Sequence, residues 1–261
     1  MFYITLPSNS SMKYFPNNTL THFTTQLPQP IQLKGEWEVG LVEIQYPRSW
    51  YNVREGKVWL TLSHIDRPDD GGARTHRLVL PEGYYPTPTS LIRGLEKLLK
   101  ETRHSQVRPL SKALSISFDE NTRKYLVALT MEKTVVTFSD QLKRMLGLRY
   151  SMITGPANMI GVGDEDIHAD IPTLYVYSDL VEPRVVGDVR APLLRIIPSR
   201  GSYGDHVDQT FQHVEYLPCR KKDFSTIEID IRDDTGEPVP FERGKLVVTL
   251  HFRQTRALPW Q

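Results

Sequence analysis

The sequence has a single cysteine, Cys219, among its 261 residues. One cysteine excludes a disulfide framework within the chain and a zinc site built from several thiolates. Neither sign of charge is in excess, because 32 Lys and Arg residues stand against 31 Asp and Glu, a formal net charge of +1. A general nucleic-acid-binding protein needs surplus cations to neutralise phosphates, so the composition argues against a specific nucleic-acid partner.

Long hydrophobic runs are also missing. No stretch reaches the roughly 18 to 20 consecutive apolar residues that a membrane-spanning helix requires. The apolar start, residues 1–6, ends at Pro7 and lacks the basic residues and the longer apolar segment of a secretory signal. We therefore expect a protein that is made inside the cell and has no membrane partner. A hydrophobic content of 39%, with 10% aromatics, is typical of a folded chain.

The motifs of common enzyme classes are absent from the sequence. It has no glycine-rich phosphate-binding loop, no dinucleotide-binding fingerprint and no Gly-x-Ser-x-Gly nucleophile motif. Its eight histidines are scattered, and no two have the i, i+2 spacing that places both imidazoles on one face of a strand. We expect no catalytic residue, no metal site and no cofactor, and therefore no enzyme.

Two segments nevertheless contain residue types that serve in catalysis or metal binding. Cys219 follows His213 by six residues and precedes the basic run 220–222, which would suit a thiolate nucleophile with a base. The loop 163–170 is rich in carboxylates that a hard cation could bind, but it lacks the regular spacing of a calcium loop. We interpret the first as a free cysteine and the second as a solvated acidic loop.

Most of the chain shows the two-residue alternation of half-buried strands, separated by turns. The clearest example runs from Ile227 to Ile231, turns at 233–236 and returns as an alternating strand over 246–252. A change of phase beside Gly40 predicts a β-bulge, because one extra residue restores the inward direction of the side chains. Many short strands at this spacing predict an all-β protein, a single jelly-roll sandwich.

Helical spacing appears in two places, at 89–99 and at 139–147. Two helices with three strands between them predict a small α+β lobe inserted at about 85–150. We place the jelly-roll domain at 20–261 around this lobe. The polar residues 1–19 have too little apolar surface to fold on themselves, and we expect them to be an extended N-terminal arm.

Aromatic and arginine side chains outside the alternating pattern are candidates for a protein–protein interface, because these types anchor such contacts. Trp50 and Tyr51 leave the strand pattern after Pro47, and a core position is an equally good reading of them. Acidic residues near the arginines at 184 and 190 favour ion pairs between subunits. The candidates are Tyr14, Phe15, Trp50, Tyr51, Arg184 and Arg190.

The segment 37–47, WEVGLVEIQYP, and the following residues 49–52 resemble the minor capsid protein, or penton, of Maverick/Polinton elements. These elements are virus-like transposons related to adintoviruses and virophages. Further segments fit the same pattern, and together they cover most of the chain outside about 71–112. They are 15–28, 175–179, 192–198 and the closing run from 211 through 227–231 to 248–252.

The resemblance implies a structural protein without enzymatic activity that forms the homopentameric vertex of an icosahedral capsid. It also implies a place in the virion and a partner, a double jelly-roll major capsid protein from a longer chain. A length of 261 residues favours the minor protein, because it is too short for two jelly rolls with insertions. Two alternatives stay open: a ligand-binding β-sandwich module, and a host-adopted capsid descendant with a new binding role.

A further motif, MIGVG at 159–163, resembles the sites that adenovirus-like cysteine proteases recognise. Glycines around a scissile bond let an extended chain enter a narrow cleft. We therefore predict Gly161, Val162 and Gly163 as a maturation cleavage site. A glycine-rich surface loop explains these residues equally well.

Overall fold

The computed structural model describes residues 1–64, 74–101, 103–104, 108–162 and 171–255. The chain divides into two compact units. Unit 1 comprises Met1–Trp50 and Ile171–Gln261, and unit 2 comprises Tyr51–Asp170. Unit 2 is therefore an insertion into the sequence of unit 1.

The first part of unit 1 contains β1 (Phe2–Pro7), β2 (His22–Gln32) and β3 (Trp37–Pro47). Unit 2 follows with β4 (Trp59–His64), β5 (Arg74–Val79), α1 (Pro88–Glu101), β6 (Arg103–His104), β7 (Arg108–Pro109), a 3-10 turn (Leu110–Lys112), β8 (Leu114–Asp119), β9 (Lys124–Leu129), β10 (Thr134–Phe138), α2 (Asp140–Met145), β11 (Met152–Thr154) and β12 (Ala157–Ile160). Unit 1 resumes with β13 (Thr173–Ser178), β14 (Arg184–Val186), β15 (Val189–Ala191), β16 (Leu193–Pro198), β17 (His206–Thr210), β18 (Leu217–Pro218), β19 (Asp223–Arg232) and β20 (Val247–Gln254).

The eight longer strands of unit 1 form two antiparallel sheets. The first sheet has the order β1-β20-β3-β17, with the short β18 also paired to β3, and the second has the order β16-β13-β19-β2. If these eight strands are counted one to eight along the chain, the sheets read 1-8-3-6 and 5-4-7-2. This alternation between sheets is the topology of a jelly roll, so the predicted all-β jelly-roll fold is confirmed.

The core of unit 1 lies between the two sheets. Ile227, Ile229 and Ile231 are fully buried, as their alternation predicts. The register between β20 and β3 shifts by one residue. Thr249 pairs with Glu43 and the next residue, Leu250, pairs with Leu41, so Val42 is an extra residue between the two pairs. This extra residue is the β-bulge expected beside Gly40. Beyond it the side chains at 44 and 46 again point into the core.

The first strand corrects the expected N-terminal arm over residues 1–19. β1 pairs along its whole length with β20, from Phe2 opposite Phe252 to the end of the strand. Leu6 is fully buried, and the rings of Phe2 and Phe252 stack with their centroids 4.7 Å apart. Residues 2–7 are therefore an edge strand of the sandwich, held by apolar side chains at alternate positions.

Residues 8–21, which join β1 to β2, are also tied to the sandwich. The Asn18 side chain donates a hydrogen bond to the carbonyl oxygen of Thr24 (2.8 Å) and accepts one from its amide (3.0 Å). The amide of Gln26 donates to the Ser11 hydroxyl at 2.9 Å. These bonds fix the loop against β2, so the segment is a structured connection between two edge strands.

Unit 2 contains the antiparallel sheets β11-β10-β4-β5 and β12-β9-β8, the short pair β6-β7, and both α-helices of the described residues. Helix α1 buries Leu91, Leu95 and Leu99, and the hydroxyl of Ser139 caps α2 by accepting a hydrogen bond from the amide of Leu142 (3.2 Å). Unit 2 extends beyond the predicted limits of 85–150. The reason is that strands outside those limits complete the sheets. β4 pairs with β10 and β5 pairs with β4, while β11 pairs with β10 and β12 pairs with β9.

Candidate assembly surfaces

The Cys219 thiol does not have the chemistry of a nucleophile. Its side chain belongs to the core of unit 1, and its amide donates a hydrogen bond to the carbonyl oxygen of Trp37 at 2.8 Å. Burial and, to a smaller extent, the nearby charge of Glu38 raise the pKa of the Cys219 thiol to about 12. The thiol is therefore protonated at neutral pH, which removes the reactive thiolate that catalysis would need.

We expect Cys219 to resist alkylation by iodoacetamide in the folded protein at mildly alkaline pH. The same residue should react completely in guanidinium chloride, because unfolding exposes it and returns its pKa to the ordinary range. Intact mass spectrometry measures the labelling of this one site directly, since the chain has no other cysteine. Rapid, complete labelling of the folded protein would contradict the buried, protonated state.

Among the described residues, no group of three or more His, Cys, Asp or Glu side chains is arranged to hold a metal ion. The acidic loop 163–170 lies outside those residues. Within the part of the chain that the structure describes, no helix has both the length and the apolar character needed to cross a bilayer.

Trp50 is a core residue, which corrects its assignment to an interface. Only 1% of its surface is exposed. Its ring meets that of Phe241 edge-on, with centroids 5.4 Å apart, and stacks beside Tyr46 at 6.3 Å. The guanidinium carbon of Arg48 lies 3.9 Å from the centre of the indole ring. The alternative reading from the sequence, a core position, is the one the structure supports.

The two predicted interface arginines lie in the same hairpin, β14–β15, but differ in their surroundings. Arg184 forms an ion pair with Glu215 of its own chain. Arg190 is exposed and lies opposite Val185 in the hairpin. An intersubunit role stays a prediction for both residues, and Arg190 has the more accessible side chain.

The remaining predicted interface residues differ in exposure. Tyr14 is 67% exposed, whereas Phe15 and Tyr51 are half-buried. Tyr14 and Phe15 belong to the connection between β1 and β2, and Tyr51 is the first residue of unit 2. The structure therefore brings Tyr14 and Phe15 together on one loop and does not group them with the arginine hairpin.

Exposed apolar side chains lie at the start of the chain and on the loop that joins β1 to β2. We call Met1, Tyr3, Met12 and Tyr14 the N-terminal patch; their exposed fractions are 88%, 65%, 43% and 67%. Tyr3 stacks on His251 with ring centroids 4.4 Å apart, which holds the tyrosine ring on the outer face of the first sheet. Sequence reasoning identified only Tyr14 of this set, because the others occupy positions with an ordinary strand or turn composition.

A second group of exposed apolar side chains lies on β14, β15 and β16. They are Val185, Val189 and Ile196, which are 69%, 57% and 45% exposed. Val185 and Val189 point to opposite faces of the hairpin, because Val185 lies opposite Arg190 and Val189 lies opposite Val186. The hairpin turns at Gly187, whose positive φ of 61° suits a residue without a Cβ. In the sequence, valines flank a Gly-Asp turn, which indicates a hairpin. So short a segment does not predict whether the valine side chains are buried or exposed.

Strand order defines the two flanks of unit 1. One sheet has β1 and β17 as its edges, and the other has β2 and β16. The loop 8–21 joins β1 directly to β2, and the loop 199–205 joins β16 directly to β17. The N-terminal patch therefore belongs to the flank formed by β1 and β2. The hairpin lies beside the outer face of the second sheet, where Val185 lines one cavity with Tyr175 and Ile196.

The outer face of the second sheet carries an open groove of about 420 Å³. Two carboxylates of its lining form ion pairs within the chain, because Asp230 pairs with Arg232 at 2.7 Å and Asp179 pairs with Lys221. The second carboxylate oxygen of Asp179 accepts a hydrogen bond from the amide of Glu228 at 3.0 Å. The lining also contains Arg220 and Glu228, so the groove carries charges of both signs.

The predicted cleavage motif begins on β12, an edge strand of unit 2. The amide of Gly161 donates to the carbonyl oxygen of Tyr125 at 2.8 Å, and that of Val162 donates to Gly147 at 2.9 Å. A Cβ at position 161 would lie 2.9 Å from the carbonyl oxygen of Leu146, so close packing accounts for the glycine. Gly163 lies outside the described residues. Cleavage stays a prediction and would require these backbone bonds to open.

Comparison with known proteins gives a structural match without a sequence match. No protein-family model matches the sequence, and no curated protein is recognisably similar to it. Among solved structures, the fold is similar to that of the mavirus penton protein, with a TM-score of 0.53 over 97% of this chain and 99% of that chain. The two sequences are 10% identical, so the similarity is one of fold.

Proposed function

We propose that this protein is a structural protein of an icosahedral capsid and forms the pentameric vertex beside a double jelly-roll major capsid protein. The observation that carries the proposal is the end-to-end similarity of the fold to the mavirus penton protein. Both compact units fall within the aligned 97% of the chain almost entirely, so the likeness extends beyond the widespread jelly-roll sandwich. A virion location and a Maverick/Polinton origin are parts of the same proposal.

The physical properties of the chain suit repeated assembly. A contact between two unlike surfaces of identical subunits closes into a ring of five when each step rotates by a fifth of a turn. Unit 1 offers exposed apolar side chains near the start of the chain, on the loop between β1 and β2, on the β14–β15 hairpin and on β16 for such contacts. A formal net charge of +1 keeps repulsion small when many copies pack together.

Native mass spectrometry of the purified protein tests the oligomeric state. We expect a species of five times the subunit mass, and rings in negative-stain electron microscopy. Co-expression with the major capsid protein of the same genetic element should give closed particles that contain both proteins. A strictly monomeric protein that stays out of such particles would contradict the proposal.

The ligand-binding alternative has one structural feature to support it, the groove on the second sheet. Its carboxylates Asp179 and Asp230 already form ion pairs within the chain, which weakens the groove as a ligand site. A host-adopted capsid descendant would keep the fold and lose the ability to join particles, so the same co-expression experiment separates it from a working vertex protein.

A further inference from the structure

His251 is a buried histidine on the outer face of the first sheet. The next residue of β20, Phe252, is fully buried in the core, so strand alternation directs the imidazole to the opposite face. Solvent nevertheless reaches only 7% of the His251 surface. The residue that pairs with it is Gly40, where a Cβ would lie 2.7 Å from the carbonyl oxygen of Glu215. The glycine therefore lets the segment 211–216 pack directly on this face and cover the histidine.

Two tyrosines enclose the imidazole ring of His251. Tyr3 of β1 lies opposite it in the sheet and stacks on it, with ring centroids 4.4 Å apart. Tyr216 of the covering segment meets it edge-on at 5.7 Å, and the tyrosine oxygen lies 2.7 Å from Nδ1 of the imidazole. The guanidinium carbon of Arg253 lies 3.6 Å from the centre of the Tyr216 ring. The imidazole thus connects three pieces of unit 1 that are far apart in sequence, namely β1, β20 and the segment 211–216.

The charges that act on the imidazole of His251 are positive. Arg253 is two residues further along β20 and points to the same face, and the N-terminal amino group stands at the start of β1. Burial lowers the pKa of His251 below its usual range, and the N-terminal amino group and Arg253 lower it as well, because each repels a second positive charge. His213 of the covering segment is exposed.

The carboxylates of the surrounding elements are engaged with other groups. Glu38 of β3 pairs with Arg253 at 2.8 Å, and Glu215 of the covering segment pairs with Arg184. Glu43 of β3 accepts a hydrogen bond from a neighbouring glutamine side chain at 2.7 Å. An imidazolium at this position would therefore gain no ion pair from these acidic residues.

The second ring nitrogen of His251, Nε2, is shielded from solvent and has no hydrogen-bond partner within the described residues. A neutral imidazole carries one N–H, which can donate to the Tyr216 hydroxyl from Nδ1 and leave Nε2 unprotonated. Protonation gives both nitrogens an N–H, and the one on Nε2 would be buried without an acceptor, which costs free energy. The folded arrangement therefore favours the neutral ring.

We propose that His251 is an acid-sensitive latch, which holds β1 and the segment 211–216 on the first sheet while the imidazole is neutral and releases them when it is protonated. In the unfolded chain the pKa of a histidine is about 6.5. Because the folded protein binds this proton less readily than the unfolded chain, the stabilisation is complete above about pH 6.5 and is lost as the pH falls below that value. Acid would thereby change the surface that unit 1 presents beside β1 without a ligand. The latch lies within one subunit and does not depend on the oligomeric state.

Hydrogen exchange followed by mass spectrometry, at about pH 7.5 and about pH 5.5, tests the latch once the intrinsic pH dependence of exchange is corrected. In the unsubstituted protein we expect the protection of peptides from 1–7 and 211–216 to fall severalfold at the lower pH, while β13 in the second sheet stays protected. His251→Asn keeps a side chain that can bond to Tyr216 and cannot be protonated in this range, so its protection should be the same at both pH values. His206→Asn, at an exposed histidine of β17, is the matched control and should behave as the unsubstituted protein does.

The proposal is overturned if the two peptides of the unsubstituted protein are equally protected at both pH values, or if His251→Asn shows the same loss. Should His251→Asn fail to fold, the unsubstituted protein decides: a loss confined to 1–7 and 211–216 supports the latch, and a uniform loss over unit 1 contradicts it. The oligomeric state is measured separately. A monomeric protein with this pH response would therefore contradict the proposed function and leave the latch standing.

Discussion

A variant that lacks residues 1–7 is expected to lose the cooperative unfolding of unit 1, or to be insoluble. Deletion removes β1 and leaves the backbone of β20 unpaired along one side. It also removes the fully buried side chain of Leu6 and the ring of Phe2 that stacks on Phe252. Loss of one buried leucine side chain alone costs about 2–5 kcal/mol, a large part of the roughly 5–15 kcal/mol that stabilises a typical domain.

Thermal denaturation followed by circular dichroism measures this effect. The control is the double substitution Met12→Ser and Tyr14→Ser, which removes exposed apolar side chains of the same flank and keeps β1. We expect the control to unfold within a few degrees of the unsubstituted protein. A truncated protein that unfolds normally and fails only in assembly would show that this segment acts as an arm.

Trp50→Ala is expected to lower the free energy of unfolding by about 3–5 kcal/mol, the usual cost of removing a large buried aromatic side chain. The indole ring of Trp50 contacts the rings of both Tyr46 and Phe241, and an alanine side chain is too small to replace these two contacts. It also supports the guanidinium of Arg48, which would lose its aromatic neighbour. Chemical denaturation at equilibrium measures the change.

Arg190→Ala is the matched comparison for Trp50→Ala, because both residues are interface candidates from the sequence and only Arg190 is exposed. Arg190→Ala should change the free energy of unfolding by no more than about 0.5 kcal/mol, as most surface substitutions do. If Trp50→Ala left the free energy of unfolding unchanged and abolished the pentamer, Trp50 would be an interface residue and not a core residue.

The sequence by itself determined the local structure of most elements. Strand alternation has a period of two residues, so the inward positions of 227, 229 and 231 follow from neighbours a few residues away. The phase change beside Gly40 is local in the same sense, and it locates the bulge at Val42 to within two residues. The cap of Ser139 on α2 is also a short-range feature.

Only the tertiary structure decided the role of β1, the limits of unit 2 and the location of the exposed apolar side chains. β1 pairs with a strand more than 240 residues later, and a short apolar run gives no sign of so distant a partner. The limits of unit 2 depend on which strands complete its sheets, which is again a matter of non-local pairing. Trp50 and Val189 show the same limit: both are large and apolar, yet one is 1% exposed and the other 57%. The difference arises because burial depends on what packs against a side chain, and sequence alternation specifies only the face on which it lies.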